Sequence, residues 1–85
     1  MNLIYRNIAK VVNEFNSKLN YIHAVVTNQE EKIRQTSEIA TSALALRSIF
    51  RDIKGQEADD LYKQLATINE ECSKIMSEII NIKAS

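Results

Sequence analysis

The chain has 85 residues, with one cysteine, one histidine, and eleven acidic residues balanced by eleven basic ones. A chain of this length buries only about 60–65% of its unfolded surface, so its core is expected to be marginal without further support. The lone cysteine excludes an internal disulfide, and one cysteine with one histidine falls short of the usual zinc ligand set. We therefore expect a single domain over residues 1–85 that depends on helix packing and association.

Charge and hydropathy narrow the possible functions. A net charge of zero gives no general attraction to nucleic acid or to an anionic membrane. No segment approaches the roughly 18 apolar residues of a membrane span, and charges interrupt residues 1–15 too often for a signal-peptide core. We expect a cytoplasmic protein, and the many Ile, Asn and Lys residues suggest a bacterial or phage genome.

The first predicted helix covers residues 2–26. The chain lacks proline and has one glycine, which favours long helices and an all-α fold. Apolar residues recur here with alternating steps of three and four, as on a helix face that packs against another helix. This first seam consists of Tyr5, Ile8, Val12, Phe15, Leu19, Ile22 and Val26. Because Ile4, Val11 and Val25 flank the seam and widen it, we expect this helix to contact more than one neighbour.

The second predicted helix covers residues 28–54. Thr27 and Glu30 have the spacing of a capping box, which favours a helix start near Thr27. A second seam follows, made of Ile39, Ala43, Leu46, Phe50 and Ile53. Arg47, Arg51 and Lys54 would lie in the last turns, where cations are favourable, and Gly55 is predicted to be the left-handed C-cap.

The third predicted helix covers residues 57–83 and has the most regular seam. Acidic residues at positions 57, 59 and 60 favour a helix start there. Its seam consists of Leu61, Leu65, Ile68, Cys72, Ile75, Ile79 and Ile82. Two architectures fit these patterns: a three-helix bundle, or a continuous helix over residues 2–54 with the last helix folded back along half of it. The second architecture leaves the first seam bare, so it requires a dimer or a bound partner.

The sequence carries no pattern of a catalytic or cofactor site. His23 is expected on a helix flank, and Cys72 is expected to be a buried thiol with a raised pKa and little reactivity. Neighbouring carboxylates on a helix point about 100° apart, so they cannot readily share a proton or a metal. We expect no enzyme activity, no cofactor and no metal. Asp52 interrupts the short basic stripe of Arg47, Arg51 and Lys54, which argues against nucleic-acid binding.

The remaining feature of the sequence that can indicate a function is its apolar helix surface. We therefore expect a non-enzymatic α-helical protein–protein interaction protein that acts through coiled-coil-like seams. Its partner would be another copy, in a homodimer or larger assembly, or a helical protein. The alternative is a small regulator or inhibitor of the phage or mobile-element type that docks a helix on a target. The candidate interface residues are those of the third seam, from Leu61 to Ile82, and of the first seam, from Tyr5 to Ile22. Tyr21 and Tyr62 lie off the seams and are equally compatible with an interface or with the edge of a core.

Overall fold

The protein is an all-α bundle of three helices. The computed structural model describes the backbone of residues 3–84 and the side chains of residues 3–81. Helix α1 spans Leu3–Val25, α2 spans Gln29–Phe50 and α3 spans Gln56–Ala84. All three helices pack against one another. The prediction of an all-α fold with three helices is confirmed, with α2 ending four residues earlier than expected.

The connection between α1 and α2 replaces the predicted Thr27 cap with a cap at Asn28. The Asn28 backbone is extended, and its side-chain oxygen accepts a hydrogen bond from the Glu31 amide at 2.9 Å. Both Thr27 and Asn28 have a glutamate three residues later, so the sequence offers two overlapping caps and the chain uses the second. Residues 26–28 leave the helical conformation, and the alternative of one continuous helix is therefore wrong.

Helix α2 ends at its last buried side chain, Phe50, and not at residue 54 as predicted. The chain then turns, with the Ile53 amide donating to the Phe50 carbonyl at 3.2 Å. Ile53, predicted to continue the second seam, lies outside the helix and is 40% exposed. Arg51 and Lys54 also lie beyond α2, so the basic stripe expected on one helix face does not form.

Gly55 belongs to the start of α3, although it was predicted to cap the end of α2. Its φ angle is +134°, a backbone conformation that other residues rarely adopt. The Gly55 carbonyl accepts the first hydrogen bond of α3 from the Asp59 amide at 3.0 Å, which is the role of an N-cap residue. A glycine after basic residues and before acidic ones is compatible with either end, and only the backbone path decides between them.

The core is built from the three predicted seams. On α3, all six described seam side chains are buried; the seventh, Ile82, lies outside the described side chains. On α1 the seam is buried or half-buried, and the Tyr5 ring lies 5.9 Å from that of Phe50 on α2. The buried side chains of the core are Val12, Leu19, Ile22, Thr36, Ile39, Ala43, Phe50, Ala58, Leu61, Leu65, Ile68, Cys72, Ile75 and Ile79.

One polar group in this core has no partner. The Thr36 hydroxyl of α2 is fully buried and makes no hydrogen bond with any described residue. A buried hydroxyl left in this state costs about 1–3 kcal/mol. The buried side chains of the core are therefore apolar except for this threonine, whose unpaired hydroxyl lowers the stability of the fold.

The three helices do not contact each other equally. Helix α3 packs against both others, most extensively against α2, whereas α1 and α2 touch least. The molecule measures 46 × 21 × 14 Å, so its cross-section is oblong, whereas three helices at the corners of an equilateral triangle would have nearly equal widths. Helices α1 and α2 are thus splayed around α3. No helix of the described part has the length and apolar character needed to cross a membrane.

Candidate protein-docking surface

The structure places the predicted interface residues inside the molecule. The described α3 seam from Leu61 to Ile79 is buried, as are Val12, Leu19 and Ile22 of α1, while Tyr5, Ile8 and Phe15 are half-buried. These side chains meet other helices of the same chain, so they would reach another molecule only if the bundle opened. Their role as an interface stays a prediction, and any contact with a folded partner has to use the outer faces.

One outer face has an open space between α1 and α2, which we call the α1–α2 groove. It has a volume of about 520 Å³. Its floor is apolar, since Phe15 and Ile22 come from α1 and Ile39 from α2. Its remaining lining consists of Ser17, Lys18, Tyr21, Arg34, Gln35, Glu38 and Ser42. The groove exists because α1 and α2 each contact α3 more extensively than they contact each other, which leaves a space between them.

The α1 wall of the groove continues as an apolar stripe along the whole helix. Ile4, Val11, Phe15, Ile22 and Val25 follow one another at steps of seven, four, seven and three residues, so they share one helix face. Ile4 and Val25 are 63% and 53% exposed. Sequence analysis identified the flanking positions of this stripe but could not tell which neighbour they face.

The face of α2 that forms the second wall carries one polar, one small and two apolar side chains. Gln35, Ser42, Leu46 and Ile49 follow at steps of seven, four and three residues and share one face of α2. Ile49 is 59% exposed, and Ser42 is small and exposed. Small side chains let a second helix approach closely, so this wall suits a helix better than a flat surface. Sequence analysis placed Leu46 on the second seam but missed Ser42 and Ile49, because these two lie off that seam.

Charged groups border the groove on its α2 edge. The Arg34 guanidinium forms ion pairs with Glu31 and, at 2.7 Å, with Glu38, and Gln35 also donates to Glu31 at 2.7 Å. The hydrogen bonds from Arg34, and then from Gln35, lower the pKa of Glu31 to about 2. The same contacts with Glu31 raise the pKa of Arg34. On the opposite edge, Lys18 makes no ion pair with any described residue.

The other side of α2, which faces α3, is closed by polar contacts. The Asn69 amide donates to the Ala40 carbonyl at 2.9 Å, and Arg47 donates to the Asn69 side-chain oxygen at 3.4 Å. The Arg47 guanidinium also lies 5.7 Å from the centre of the Tyr62 ring, within cation–π range. Arg47 and Tyr62 are thus engaged within the chain. A shallow depression on this side is lined by Ser37, Leu44, Ser73, Met76 and Ile80, among others.

The reactive side chains are kept apart. His23 is exposed beside Glu71 and Glu78 in a depression between α1 and α3. Cys72 is 1% exposed, and burial, followed by the nearby Glu71 charge, raises the pKa of its thiol. Cys72 borders the α2–α3 depression instead of the one that His23 lines. Across the described residues, no group of three or more His, Cys, Asp or Glu side chains could hold a metal ion.

The chain was compared with known proteins at three levels. Neither a protein-family model, nor a curated protein, nor a solved structure matches it.

Proposed function

We propose that this protein is a non-enzymatic, α-helical protein–protein interaction protein whose docking surface is the α1–α2 groove. The observation that supports this most directly is an apolar groove left open along two helices of a folded bundle. Phe15, Ile22 and Ile39 form its floor, and the exposed Tyr21 lies along its α1 edge. Ile49, seven residues after Ser42, lies on the same face of α2 and is also exposed. Ile22 and Ile39 are already buried, so a partner gains chiefly by covering Phe15 and Tyr21, at about 25 cal/mol for each Å² of apolar surface removed from water.

The shape of the groove favours a helix as the docked element. The groove lining runs from Arg34 to Ser42 on α2, which is about 12 Å of helix, and α2 as a whole is about 33 Å long. A partner helix can therefore lie along α2 on both sides of the groove. A helix placed opposite α3 would complete a four-helix bundle, the arrangement in which each helix buries a stripe of apolar residues. The proposed partner therefore presents an amphipathic helix.

A regulator that docks on a target protein remains the second candidate. An apolar groove that is exposed in the free chain favours it, because such a protein needs an uncovered surface before it meets its target. Both candidates use the same groove and differ only in its occupant. The cytoplasmic location and the bacterial or phage origin stay predictions.

The proposal is tested by selecting binders from a displayed library of amphipathic 20-residue helices. Ser42→Arg places a long charged side chain in the groove, whereas Ser73→Arg makes the same change in the α2–α3 depression. We expect the selected helices to bind the native chain and the Ser73→Arg control equally. They should lose about tenfold or more in affinity for Ser42→Arg, since truncating or blocking a central contact typically costs over 1 kcal/mol. Equal binding to both variants, or no selected helix at all, would overturn the proposal.

A further inference from the structure

We propose that the occupant of the α1–α2 groove is a second copy of this chain, with α1 of each copy lying in the groove of the other. This inference rests on the proposed function and specifies its partner. The arrangement has two-fold symmetry, so the same surface serves both copies, as in most homodimers.

The chain exposes more surface than a compact monomer of its mass, and the excess is close to the area that each partner buries in a dimer. The accessible surface is 5833 Å² for a mass of 9.7 kDa. A compact monomer of this mass exposes roughly 5100 Å², so about 700 Å² is in excess. A standard interface covers about 800 Å² on each partner. One contact between two copies along the groove would therefore bring the exposed area per chain to the usual value.

Helix α1 has the two properties that a self-complementary surface requires. Phe15, Tyr21 and Ile22 of this helix line the groove. Tyr21, and Val25 four residues further along α1, remain 59% and 53% exposed. The same helix can thus line one groove and fill the other. A two-fold axis makes this possible, because each contact of α1 with the partner subunit is repeated in reverse.

The same two-fold symmetry brings opposite charges on the two edges of the groove together. Tyr5 of α1 contacts Phe50 of α2 at one end, and Lys18 and Glu38 lie 13 and 12 residues further along these antiparallel helices. They are therefore at the same level on opposite edges. A two-fold axis parallel to the helices places Lys18 of one copy beside Glu38 of the other, twice, where Glu38 also pairs with Arg34 of its own chain. A net charge of zero also means that two copies have no general repulsion to overcome.

Sedimentation equilibrium over a wide concentration range tests the dimer with two matched variants. We expect the native chain and Ser73→Arg to reach a mass of two 9.7 kDa chains at high concentration. Ser42→Arg should remain at one chain and keep its helical circular dichroism. A native chain that stays monomeric up to millimolar concentration overturns the inference. So does a dimer that survives Ser42→Arg but is lost in Ser73→Arg, since that result places the interface on the α2–α3 side.

Charge reversal tests the two-fold arrangement itself. Lys18→Glu puts glutamates on both groove edges, and Glu38→Lys puts lysines on both. Each variant alone should dimerise about tenfold more weakly, because two attractive contacts become repulsive. An equimolar mixture should recover the native affinity, since the mixed dimer restores both opposite-charge contacts. Loss without recovery on mixing overturns the arrangement, because a defect within one chain cannot be repaired by a second chain.

These results separate the inference from the proposed function. If the native chain is monomeric but selected helices still bind the groove and lose affinity for Ser42→Arg, the docking surface stands and its occupant is a different protein. If the native chain is monomeric and no selected helix binds, both proposals fail. A dimer that obeys the charge-reversal pattern supports both.

Discussion

Helix α2 has a closed side, which polar contacts link to α3 although Leu44 there is 50% exposed, and an open side toward α1. Toward α3, Asn69 and Arg47 link the two helices by hydrogen bonds, and the Tyr62 ring lies against the Arg47 guanidinium. Toward α1, the polar groups of α2 bond only to each other, as Arg34 does with Glu31 and Glu38. The difference shows that a helix can be fixed on one neighbour by polar cross-links while its other face stays available for a partner.

The strongest test of this comparison contrasts a buried and an exposed isoleucine on α3. Ile75 is 6% exposed, whereas Ile80 on the same helix is 62% exposed. Ile75→Asp should unfold the chain, because an unpaired carboxylate in the core costs about 5 kcal/mol or more, which matches the whole stability of a small domain. Ile80→Asp should change the free energy of unfolding by only about 0.5 kcal/mol. Helical circular dichroism during thermal unfolding measures both. A folded Ile75→Asp chain would show that the α3 seam is not an internal core.

Hydrogen exchange tests whether α1 is the less firmly held helix. Since α1 contacts α2 little, its opening should expose less buried surface than separating α2 from α3. We expect amides in the middle of α1 to exchange about tenfold faster than those in the middle of α3 in the native state. The measurement should be made on Ser42→Arg, so that association through the groove does not protect α1. Equal protection of the α1 and α3 amides would show that α1 is held as firmly as α3, despite its small contact with the open side of α2.

A smaller effect is expected when the polar link on the closed side is removed. Asn69→Ala eliminates the hydrogen bond to the Ala40 carbonyl and the contact with Arg47. The free energy of unfolding should fall by about 1 kcal/mol, the usual net value for such a bond. Glu70→Ala changes the adjacent exposed residue and serves as the control, with little expected effect. Equal unfolding midpoints in urea for the two variants would show that Asn69 does not stabilise the α2–α3 contact.

The sequence predicted the core well because steps of three and four residues define a helix face whatever the neighbouring helix is. It predicted the helix ends less well, since ends depend on competing local signals. Thr27 and Asn28 offered equivalent caps, and Gly55 stood between basic and acidic residues that suit either helix end. Only the packed bundle shows that Phe50 is the last covered residue of α2.

The open groove could be predicted only in part. The flanking apolar residues Ile4, Val11 and Val25 indicated that α1 has more to cover than one neighbour. They could not show that α2 would stay apart from α1, because that depends on how both helices are placed on α3. Ser42 and Ile49 carried no signal of their own, since a serine and an isoleucine off the seam are common on any exposed helix.

The smallest expected effect concerns the ion pairs at the edge of the open side. Arg34 holds the pKa of Glu31 at about 2, below its ordinary value of 4.5, by donating hydrogen bonds to the ionised carboxylate. The stabilisation is therefore present above pH 4.5 and is lost as the pH falls from 4.5 toward 2.

Arg34→Ala should raise the pKa of Glu31 toward its ordinary value and make the unfolding midpoint depend less on pH in this window. An NMR titration of the Glu31 carboxyl group measures the pKa directly, with Lys32→Ala as the control, because Lys32 makes no ion pair with a described residue. The Glu31 pKa should be unchanged in that control, and an unchanged value in Arg34→Ala as well would mean that the pair is not maintained in solution. The edge of the groove would then be free to rearrange around its partner instead of presenting a fixed pattern of charges.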